Sequence, residues 1–124
     1  MMTVREIQEI LQATVLTGDD LLDTPVDAAF GADLMSDVLA FVNQKTVLIT
    51  GLINLHVVRT SEMLDIRCIV FSRGKRPGPD ILEEANEAGI AVLSTNMTTY
   101  TCCGELYMRG LPGVKGREAQ ETKG

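Results

Sequence analysis

Residues 46–76 contain two apolar segments with a helical pattern between them. The first segment includes Val47, Leu48 and Ile49 and ends at Gly51, and the second runs over 66–71. Continuous apolar runs of this length are typical of strands that are covered on both faces. The intervening helix has a predicted buried face of Leu52, Leu55, Val58 and Met63. The stretch therefore predicts a β-α-β unit with parallel strands and a right-handed crossover.

The same alternation continues towards the C-terminus. Pro79 suits the first position of a helix, and Gly89 suits the position just after its end. A strand over 90–93 and a last helix over 98–109 follow. The predicted buried face of that last helix is Tyr100, Cys103, Leu106 and Tyr107.

The N-terminal third predicts one more helix-strand pair and an alternating strand. Thr3 and Glu6 have the spacing of a capping box at the start of a helix over 3–13. A short strand over 14–16, an alternating strand over 26–31 and a helix over 34–42 come next. Together the elements predict a three-layer α/β/α domain with a mostly parallel, mixed sheet of about five strands.

The length and the composition of the chain indicate one domain. The 124 residues suit a single core, and we assign residues 1–112 to it. Residues 113–124 include five charged residues and only two apolar ones, Val114 and Ala119. We therefore expect residues 113–124 to form a flexible tail, because they cannot bury enough apolar surface to become ordered.

The charge and the cysteines exclude several classes of protein. The net charge of −6 disfavours binding to nucleic acid, whose phosphates it repels. Three cysteines, two of them adjacent, do not make a disulfide framework, and this favours a reducing cytoplasm. The chain shows neither a signal-peptide core nor an apolar run near the ~20 residues that span a membrane. We expect a cytoplasmic protein without a membrane segment.

Polar and basic residues follow three of the predicted parallel strands. The carboxyl ends of parallel strands meet at one edge of the sheet, where α/β proteins collect ligands. The candidate ligand-binding residues at this edge are Asp33, Thr50, Gly51, Asn54, Arg73, Gly74, Lys75, Arg76, Ser94 and Thr95. Cations beside helix N-termini favour a small anion such as a phosphate, a carboxylate or a nucleotide. Both glycine-rich phosphate-binding fingerprints are absent, so an ordinary solvated loop remains the alternative.

No residue pattern in the chain indicates catalysis or metal binding. His56 is the only histidine and has no nucleophile motif beside it. The adjacent Cys102 and Cys103 match neither a redox pair nor a zinc ligand set. Six aspartates between Asp19 and Asp37 lack the spacing of a calcium loop and suit turns and helix caps instead. We expect no catalytic residue, metal or cofactor, and we favour a non-enzymatic role.

The order of several short segments resembles the DRTGG domain family over residues 3–111. The matching segments are Asp33 with Ser36-Asp37, residues 50–54, Gly74-x-x-Pro77, Ala88-Gly89-Ile90, Leu93-Ser94-Thr95 and Gly104-x-Leu106-Tyr107. In particular, the chain is similar to small stand-alone members found beside hydrogenase and sensor-kinase proteins. Two features depart from the family pattern: the string D-R-T-G-G is absent, and Ala28-Ala29 stands where glycines are expected.

The resemblance implies a fold like the N-terminal domain of HPr kinase/phosphorylase, and more distantly that of the muramoyl-peptide ligases. DRTGG domains also occur attached to CBS domains and to phosphotransacetylases, where they look like regulatory or assembly modules, often dimeric. No kinase domain follows here, so we do not carry phosphorylation of a partner over to this chain.

These inferences together predict a non-catalytic regulatory or assembly module. It would form a homodimer and bind a small anion such as a nucleotide, with Asp33 accepting a ribose hydroxyl or orienting a cation. Hydrogenase-related and sensor-kinase proteins are the protein partners that the resemblance implies. A structural interaction scaffold without a ligand, or an enzyme with an unrecognised site, remains the alternative.

Overall fold

The computed structural model describes residues 1–42 and 44–115. These residues form seven strands and five helices, with a 3-10 turn at Asp19–Leu21, and strands and helices alternate from Ala28 onwards. The strands are β1 (Met2–Thr3), β2 (Thr14–Thr17), β3 (Pro25–Val26), β4 (Ala28–Gly31), β5 (Thr46–Thr50), β6 (Cys68–Phe71) and β7 (Ala91–Ser94). The helices are α1 (Val4–Ile10), α2 (Met35–Phe41), α3 (Leu55–Met63), α4 (Pro79–Glu87) and α5 (Thr99–Met108).

The main sheet has five strands in the order β2-β7-β6-β5-β4. Strands β4, β5, β6 and β7 are parallel to one another, and the edge strand β2 is antiparallel to β7. Strands β1 and β3 form a separate antiparallel pair. The predicted mixed, mostly parallel sheet of five strands is confirmed.

The central strands are buried along their whole length because helices cover both faces of the sheet. Val47 and Ile49 point into the core that α1 and α5 cover. Leu48 points into the opposite core, beneath α2, α3 and α4. Successive side chains of a strand alternate between its two faces, so a continuous apolar run supplies both cores. The three-layer α/β/α architecture follows from this alternation.

Two helix boundaries agree with the capping chemistry of the sequence. Thr3 Oγ1 accepts a hydrogen bond from the Glu6 amide at 3.2 Å, and Glu6 Oε1 accepts one from the Thr3 amide at 3.0 Å. This is the predicted capping box, and it begins α1. Helix α4 begins at Pro79, and Gly89 follows its end with a φ of +73°.

The alternating strand predicted over 26–31 is two strands with different partners. The amides of Asp27 and Ala28 both donate to the carbonyl of Lys45, at 2.8 and 3.1 Å. This shared acceptor interrupts the ladder, so β3 pairs with β1 whereas β4 pairs with β5. The period-two pattern therefore predicted the extended conformation correctly, but the prediction of one continuous strand was wrong.

The predicted buried face of α5 is confirmed for Leu106 and wrong for the two tyrosines. Tyr100 and Tyr107 are 89% and 72% exposed, and the buried side chains are Cys102 and Leu106. Cys103 is half-buried and packs against Gly31. If Gly31 carried a Cβ atom, that atom would lie 2.8 Å from the Cys103 Sγ.

Met63, which we placed on the buried face of α3, is also exposed. It is the last residue of that helix. The residues of α3 that are buried are Val57, Val58, Thr60 and Ser61.

The end of the described chain runs beside the edge strand β4. The Ala29 amide donates to the Pro112 carbonyl at 2.9 Å, and the Val114 amide donates to the Ala29 carbonyl at 3.1 Å. Gly113 and Val114 belong to the segment that we predicted to be a tail, and these two residues contact the domain. Residues 116–124 of that segment lie outside the described residues. Within the described ranges, no helix combines the length and the apolar character that a membrane crossing needs.

Candidate functional site

The parallel strands bring the predicted site residues to one edge of the sheet. In the strand register, Thr50 lies opposite Phe71, and Phe71 lies opposite Ser94. The loops that follow these three residues therefore leave the sheet side by side. We call this edge, formed by Asp33 and residues 50–54, 72–76 and 94–97, the carboxyl rim.

Asp33 fixes the loop that follows β5. Its Oδ1 accepts hydrogen bonds from the Thr50 hydroxyl at 3.0 Å and from the Gly51 amide at 2.8 Å. The buried Thr50 hydroxyl also accepts a hydrogen bond from the Leu52 amide at 3.1 Å. Asp33 is exposed, and its second oxygen, Oδ2, has no hydrogen-bond partner among the described residues. That oxygen is the one available to a ligand hydroxyl or a cation.

Asn54 forms the N-terminal cap of α3. Its Oδ1 accepts a hydrogen bond from the Val57 amide at 3.1 Å. The amides of Leu55 and His56 are in the first turn, where helix geometry provides no intrahelical acceptor. Such amides favour an anion near the start of α3. His56 itself is exposed in this turn.

Arg73 and Gly74 link the loop after β6 to its neighbours on both sides. Both residues have a left-handed backbone, with φ of +59° and +71°. Their amides donate to the carbonyls of Met97 and Thr95, each at 2.8 Å. A Cβ atom at Gly51 would lie 2.8 Å from Nη2 of Arg73, so the guanidinium packs directly against the Gly51 backbone. The glycine permits this close approach.

Three cations of the carboxyl rim carry no ion pair within the described part of the chain. Arg73, Lys75 and Arg76 are consecutive apart from Gly74, and all three are exposed. The ion pairs of the described residues involve other arginines, namely Arg5, Arg59, Arg67 and Arg109. The rim therefore has a local positive charge in a chain whose net charge is −6.

The hydroxyls of Ser94 and Thr95 have internal partners. Ser94 Oγ donates to the Lys75 carbonyl, and Thr95 Oγ1 donates to the Leu11 carbonyl, both at 2.7 Å. Both residues are buried. They hold the loops of the rim in place, and each hydroxyl has already used its only proton.

Two further residues of the rim were not among our candidates. Ser72 Oγ lies 2.7 Å from Thr99 Oγ1 and so ties the loop after β6 to the start of α5. Asn96 is exposed, and its Oδ1 lies 3.2 Å from the position of a Cβ atom at Gly74. Ser72 directly follows β6, and Asn96 lies two residues after the end of β7, so their positions after strands are the signal that could have identified them.

Two cavities of the described chain lie away from the rim candidates. One of 450 Å³ lies between α1 and Arg109 and is lined by Met2, Glu6, Glu9, Ile10, Gln12 and Arg109. Another of 300 Å³ lies at the β4 edge and is lined by Phe30, Gly31, Ala32, Asp37, Phe41 and Val114. None of the ten candidate residues lines either cavity.

The three cysteines are protonated thiols at neutral pH. Burial raises the pKa of Cys68 to about 12 and that of Cys102 to about 11. Burial also raises the pKa of Cys103. No three histidine, cysteine, aspartate or glutamate side chains come together as a metal-binding group within residues 1–42 and 44–115.

The family model described as the DRTGG domain matches residues 6–107. The chain belongs to the DRTGG domain family. The match covers most of the chain and confirms the resemblance that the short segments indicated. No curated protein matches the chain.

A solved structure shows the same fold in another DRTGG protein. It is the crystal structure of the CBS and DRTGG domains of the regulatory region of Clostridium perfringens pyrophosphatase, complexed with the activator diadenosine tetraphosphate. The TM-score is 0.68 at 18% sequence identity, over 90% of this chain. This chain spans about half of the other one, 49% of its length. The similarity confirms the α/β fold of the DRTGG domain.

Proposed function

We propose that this DRTGG domain is a non-catalytic regulatory module that binds a small anion, such as a nucleotide, at the carboxyl rim. We propose further that it acts as a homodimer in the cytoplasm. Hydrogenase-related and sensor-kinase proteins are the partners whose activity or assembly it would affect.

The observation that carries this proposal is one loop with three exposed cations that form no ion pair with the described residues. Arg73, Lys75 and Arg76 lie on a loop that two backbone hydrogen bonds hold against the segment after β7. Guanidinium and ammonium groups without a carboxylate partner attract phosphate oxygens, and the first-turn amides of α3 add donors on the same edge. The rim thus offers both charge and directional donors to one anion.

The similarity to the pyrophosphatase regulatory region supports a nucleotide as the first anion to test. That region was crystallised with diadenosine tetraphosphate, a dinucleotide that carries a chain of four phosphates. This chain spans 49% of the length of that one, at 18% sequence identity, so the similarity establishes a shared fold. The choice of nucleotide therefore remains a proposal for this chain.

A second candidate function is a structural scaffold without a ligand. The hydroxyls of Ser94 and Thr95 favour it, because each donates to a backbone carbonyl of the domain itself. On this reading the polar residues of the rim stabilise loops, and the three cations keep an exposed loop soluble.

Thermal unfolding with added anions distinguishes the two functions. We would add ATP, diadenosine tetraphosphate or pyrophosphate in turn. A ligand at 100 times its dissociation constant should stabilise the domain by about 2.7 kcal/mol. The double variant Arg73→Met, Lys75→Met should lose this response and keep the melting temperature of the free protein, since methionine preserves an unbranched apolar side chain.

The matched control is Arg5→Met. Arg5 is exposed and pairs with Asp23 at 3.3 Å, away from the rim. This variant should keep the full response to the anion. A response that survives the double variant would place the anion elsewhere, and no response to any of the three anions would favour the scaffold.

A further inference from the structure

Asp33 and Arg73 lie against the same glycine without forming an ion pair. The Oδ1 atom of Asp33 accepts a hydrogen bond from the Gly51 amide at 2.8 Å. The Arg73 guanidinium packs against the same backbone, since a Cβ atom at Gly51 would lie 2.8 Å from its Nη2. The ion pairs of the described residues include neither Asp33 nor Arg73. An acceptor, Asp33 Oδ2, and the donors of a guanidinium are therefore open to one ligand beside Gly51.

Contacts within the domain position these two groups separately. Asp33 Oδ1 also accepts a hydrogen bond from the Thr50 hydroxyl at 3.0 Å, so two donors orient the carboxylate. Arg73 has a φ of +59°, and its amide donates to the Met97 carbonyl at 2.8 Å. A left-handed backbone is unfavourable for a residue other than glycine, so the loop holds Arg73 in a conformation that it would not adopt by itself. The acceptor and the donor are thus pre-organised next to each other.

The negative charge of Asp33 limits the kind of anion that suits this position. The guanidinium of Arg73 attracts phosphate oxygens, but a bare anion beside Gly51 also faces the Asp33 carboxylate, and like charges at short range repel each other. A ligand group that donates a hydrogen bond to Oδ2 replaces this repulsion with a charge-assisted hydrogen bond. The ligand that fits best therefore carries a phosphate and a hydroxyl group close together.

The balance of charges at the rim selects among ligands that carry both an anion and a donor. Arg73, Lys75 and Arg76 supply three positive charges and Asp33 one negative charge, which leaves an excess of two positive charges. A zwitterion such as a free amino acid would occupy Asp33 and one cation and leave that excess in place. A phosphate monoester carries about 1.5 to 2 negative charges at pH 7, and a 5′-nucleotide adds two ribose hydroxyls. A 5′-nucleotide therefore matches both the charges and the acceptor.

We propose that Asp33 makes the carboxyl rim select nucleotides over inorganic phosphates. Its Oδ2 accepts hydrogen bonds from the ribose hydroxyls of a 5′-nucleotide whose phosphate binds Arg73 and the neighbouring cations. The position of Asp33 supports this role, because it follows β4, the parallel neighbour of the strand that leads to Gly51. In dinucleotide-binding folds, an acidic residue in a later part of the same sheet edge binds the ribose in this way. The inference rests on the anion site of the proposed function and names its ligand class and its selectivity residue.

Calorimetric titration of the full wild-type chain tests the ligand class without any substitution. The probes are AMP, 2′,3′-dideoxy-AMP and pyrophosphate, each in the presence of EDTA so that no divalent cation takes part. AMP should have the lowest dissociation constant of the three. The dideoxy nucleotide should bind roughly tenfold more weakly or worse, because it presents the same phosphate to Asp33 without a hydroxyl that donates to Oδ2.

The variant Asp33→Asn should change the affinities for AMP and pyrophosphate in opposite directions. Asparagine keeps one carbonyl oxygen for the Thr50 hydroxyl and the Gly51 amide, and its NH₂ group cannot accept from a ribose hydroxyl. AMP should therefore bind roughly tenfold more weakly, to about the level of the dideoxy nucleotide. Pyrophosphate should bind about twofold or more tightly, because the carboxylate no longer repels it.

The matched control is Asp20→Asn, which removes the same charge elsewhere. Asp20 is exposed in the turn after β2, and β2 runs antiparallel to β7, so this turn lies at the sheet edge opposite the carboxyl rim. The control variant should leave all three dissociation constants unchanged.

The outcomes separate this proposal from the proposed function. Equal affinities of the wild type for AMP and dideoxy-AMP, or a loss of pyrophosphate binding in Asp33→Asn that equals the loss of AMP binding, overturn the selectivity role and leave the anion site standing. AMP binding that requires magnesium shows that Asp33 orients a cation, and it also overturns the ribose contact. A wild-type protein that binds neither nucleotides nor pyrophosphate overturns both proposals.

Discussion

At the scale of single residues, Asp33 shows how one side chain organises the carboxyl rim. Its Oδ1 accepts two hydrogen bonds from the residues at the end of β5. Those two donors, the Thr50 hydroxyl and the Gly51 amide, begin the loop that leads to Asn54 and α3. The role of Asp33 in loop structure is therefore separable from any contact of Oδ2 with a ligand.

Replacing Asp33 should distinguish these roles. Asp33→Ala should lower the free energy of unfolding by about 1–3 kcal/mol, because it leaves the Thr50 hydroxyl and the Gly51 amide without an acceptor. Asp33→Asn retains a carbonyl oxygen and should lower it by less than Asp33→Ala. Urea unfolding of the two variants measures the difference. Equal losses in both variants would show that the two hydrogen bonds do not stabilise the loop.

Burial of the Cys68 thiol predicts a loss of stability at alkaline pH. The pKa of this thiol is about 12 in the folded chain, compared with 9.0 for an exposed thiol. The folded state therefore holds the proton after the unfolded state has released it. Stability should be unaffected below pH 9.0 and should fall between 9.0 and about 12, by about 1.4 kcal/mol per pH unit.

A Cys68→Ala variant isolates this contribution from other groups that titrate at high pH. The difference in unfolding free energy between the wild type and the variant should be constant up to about pH 8 and should shrink by about pH 10. Chemical denaturation at both pH values gives the difference. A difference that stays constant would show that the Cys68 pKa is not raised.

At the scale of elements, two glycines have similar backbone conformations and different surroundings. Comparing them separates the cost of a left-handed backbone from the cost of a steric clash. Gly18 and Gly110 have φ of +92° and +98°. A Cβ atom at Gly18 would lie 2.6 Å from the Ala91 Cα, in the backbone of β7. A Cβ atom at Gly110 would have no described atom within 4 Å apart from those of its chain neighbours. Gly18 is thus required by both its conformation and its neighbour.

Alanine at each glycine should reveal the two contributions. Gly110→Ala should cost about 1–2 kcal/mol of unfolding free energy, from the left-handed backbone alone. Gly18→Ala should cost about 2–4 kcal/mol, because the packing of β2 and β7 must also shift. Thermal or urea unfolding measures both. If the two costs were equal, the close approach of Gly18 to β7 would not be rigid.

Helix α5 shows why the sequence predicts an element better than its orientation. Cys102 and Leu106 form one apolar pair on the helix, and Tyr100 and Tyr107 form another on the opposite side. Both pairs have helical spacing, so periodicity predicts the helix and leaves its buried face open. The tertiary fold buries the smaller pair against the sheet and leaves the tyrosines outside.

The division between β3 and β4 has a comparable cause. Val26, Ala28 and Phe30 alternate correctly for one strand. The break comes from a single carbonyl, that of Lys45, which accepts from two successive amides. Backbone pairing of this kind depends on a residue far along the chain and leaves no pattern in the local sequence.

The candidate site was predictable in position and less so in detail. The order of strands and helices was sufficient to place Gly51, Arg73 and Ser94 at one edge. The internal bonds of Ser94 and Thr95 depend on the exact path of two loops, which the sequence does not specify. Asn96 shares the exposed edge because it is one residue further along the chain.

At the scale of the whole molecule, the topology divides the surface into regions of different chemistry. The carboxyl rim carries Arg73, Lys75 and Arg76, which form no ion pair with the described residues, whereas the outward side of α5 carries the exposed side chains of Tyr100, Tyr107 and Met108. The five-stranded sheet holds the two regions in fixed positions, since its central strands are buried along their whole length.

The central claim is that the carboxyl rim binds an anion, and an amide-resolved NMR titration with ATP tests it most directly. We predict that the amide signals of Gly51, Arg73, Gly74, Leu55 and His56 shift in a saturable manner, whereas those of Glu6 and Glu9, beside the cavity between α1 and Arg109, stay unchanged. Shifts confined to Glu6, Glu9 and their neighbours, or no shift at saturating ATP and pyrophosphate, would contradict the claim.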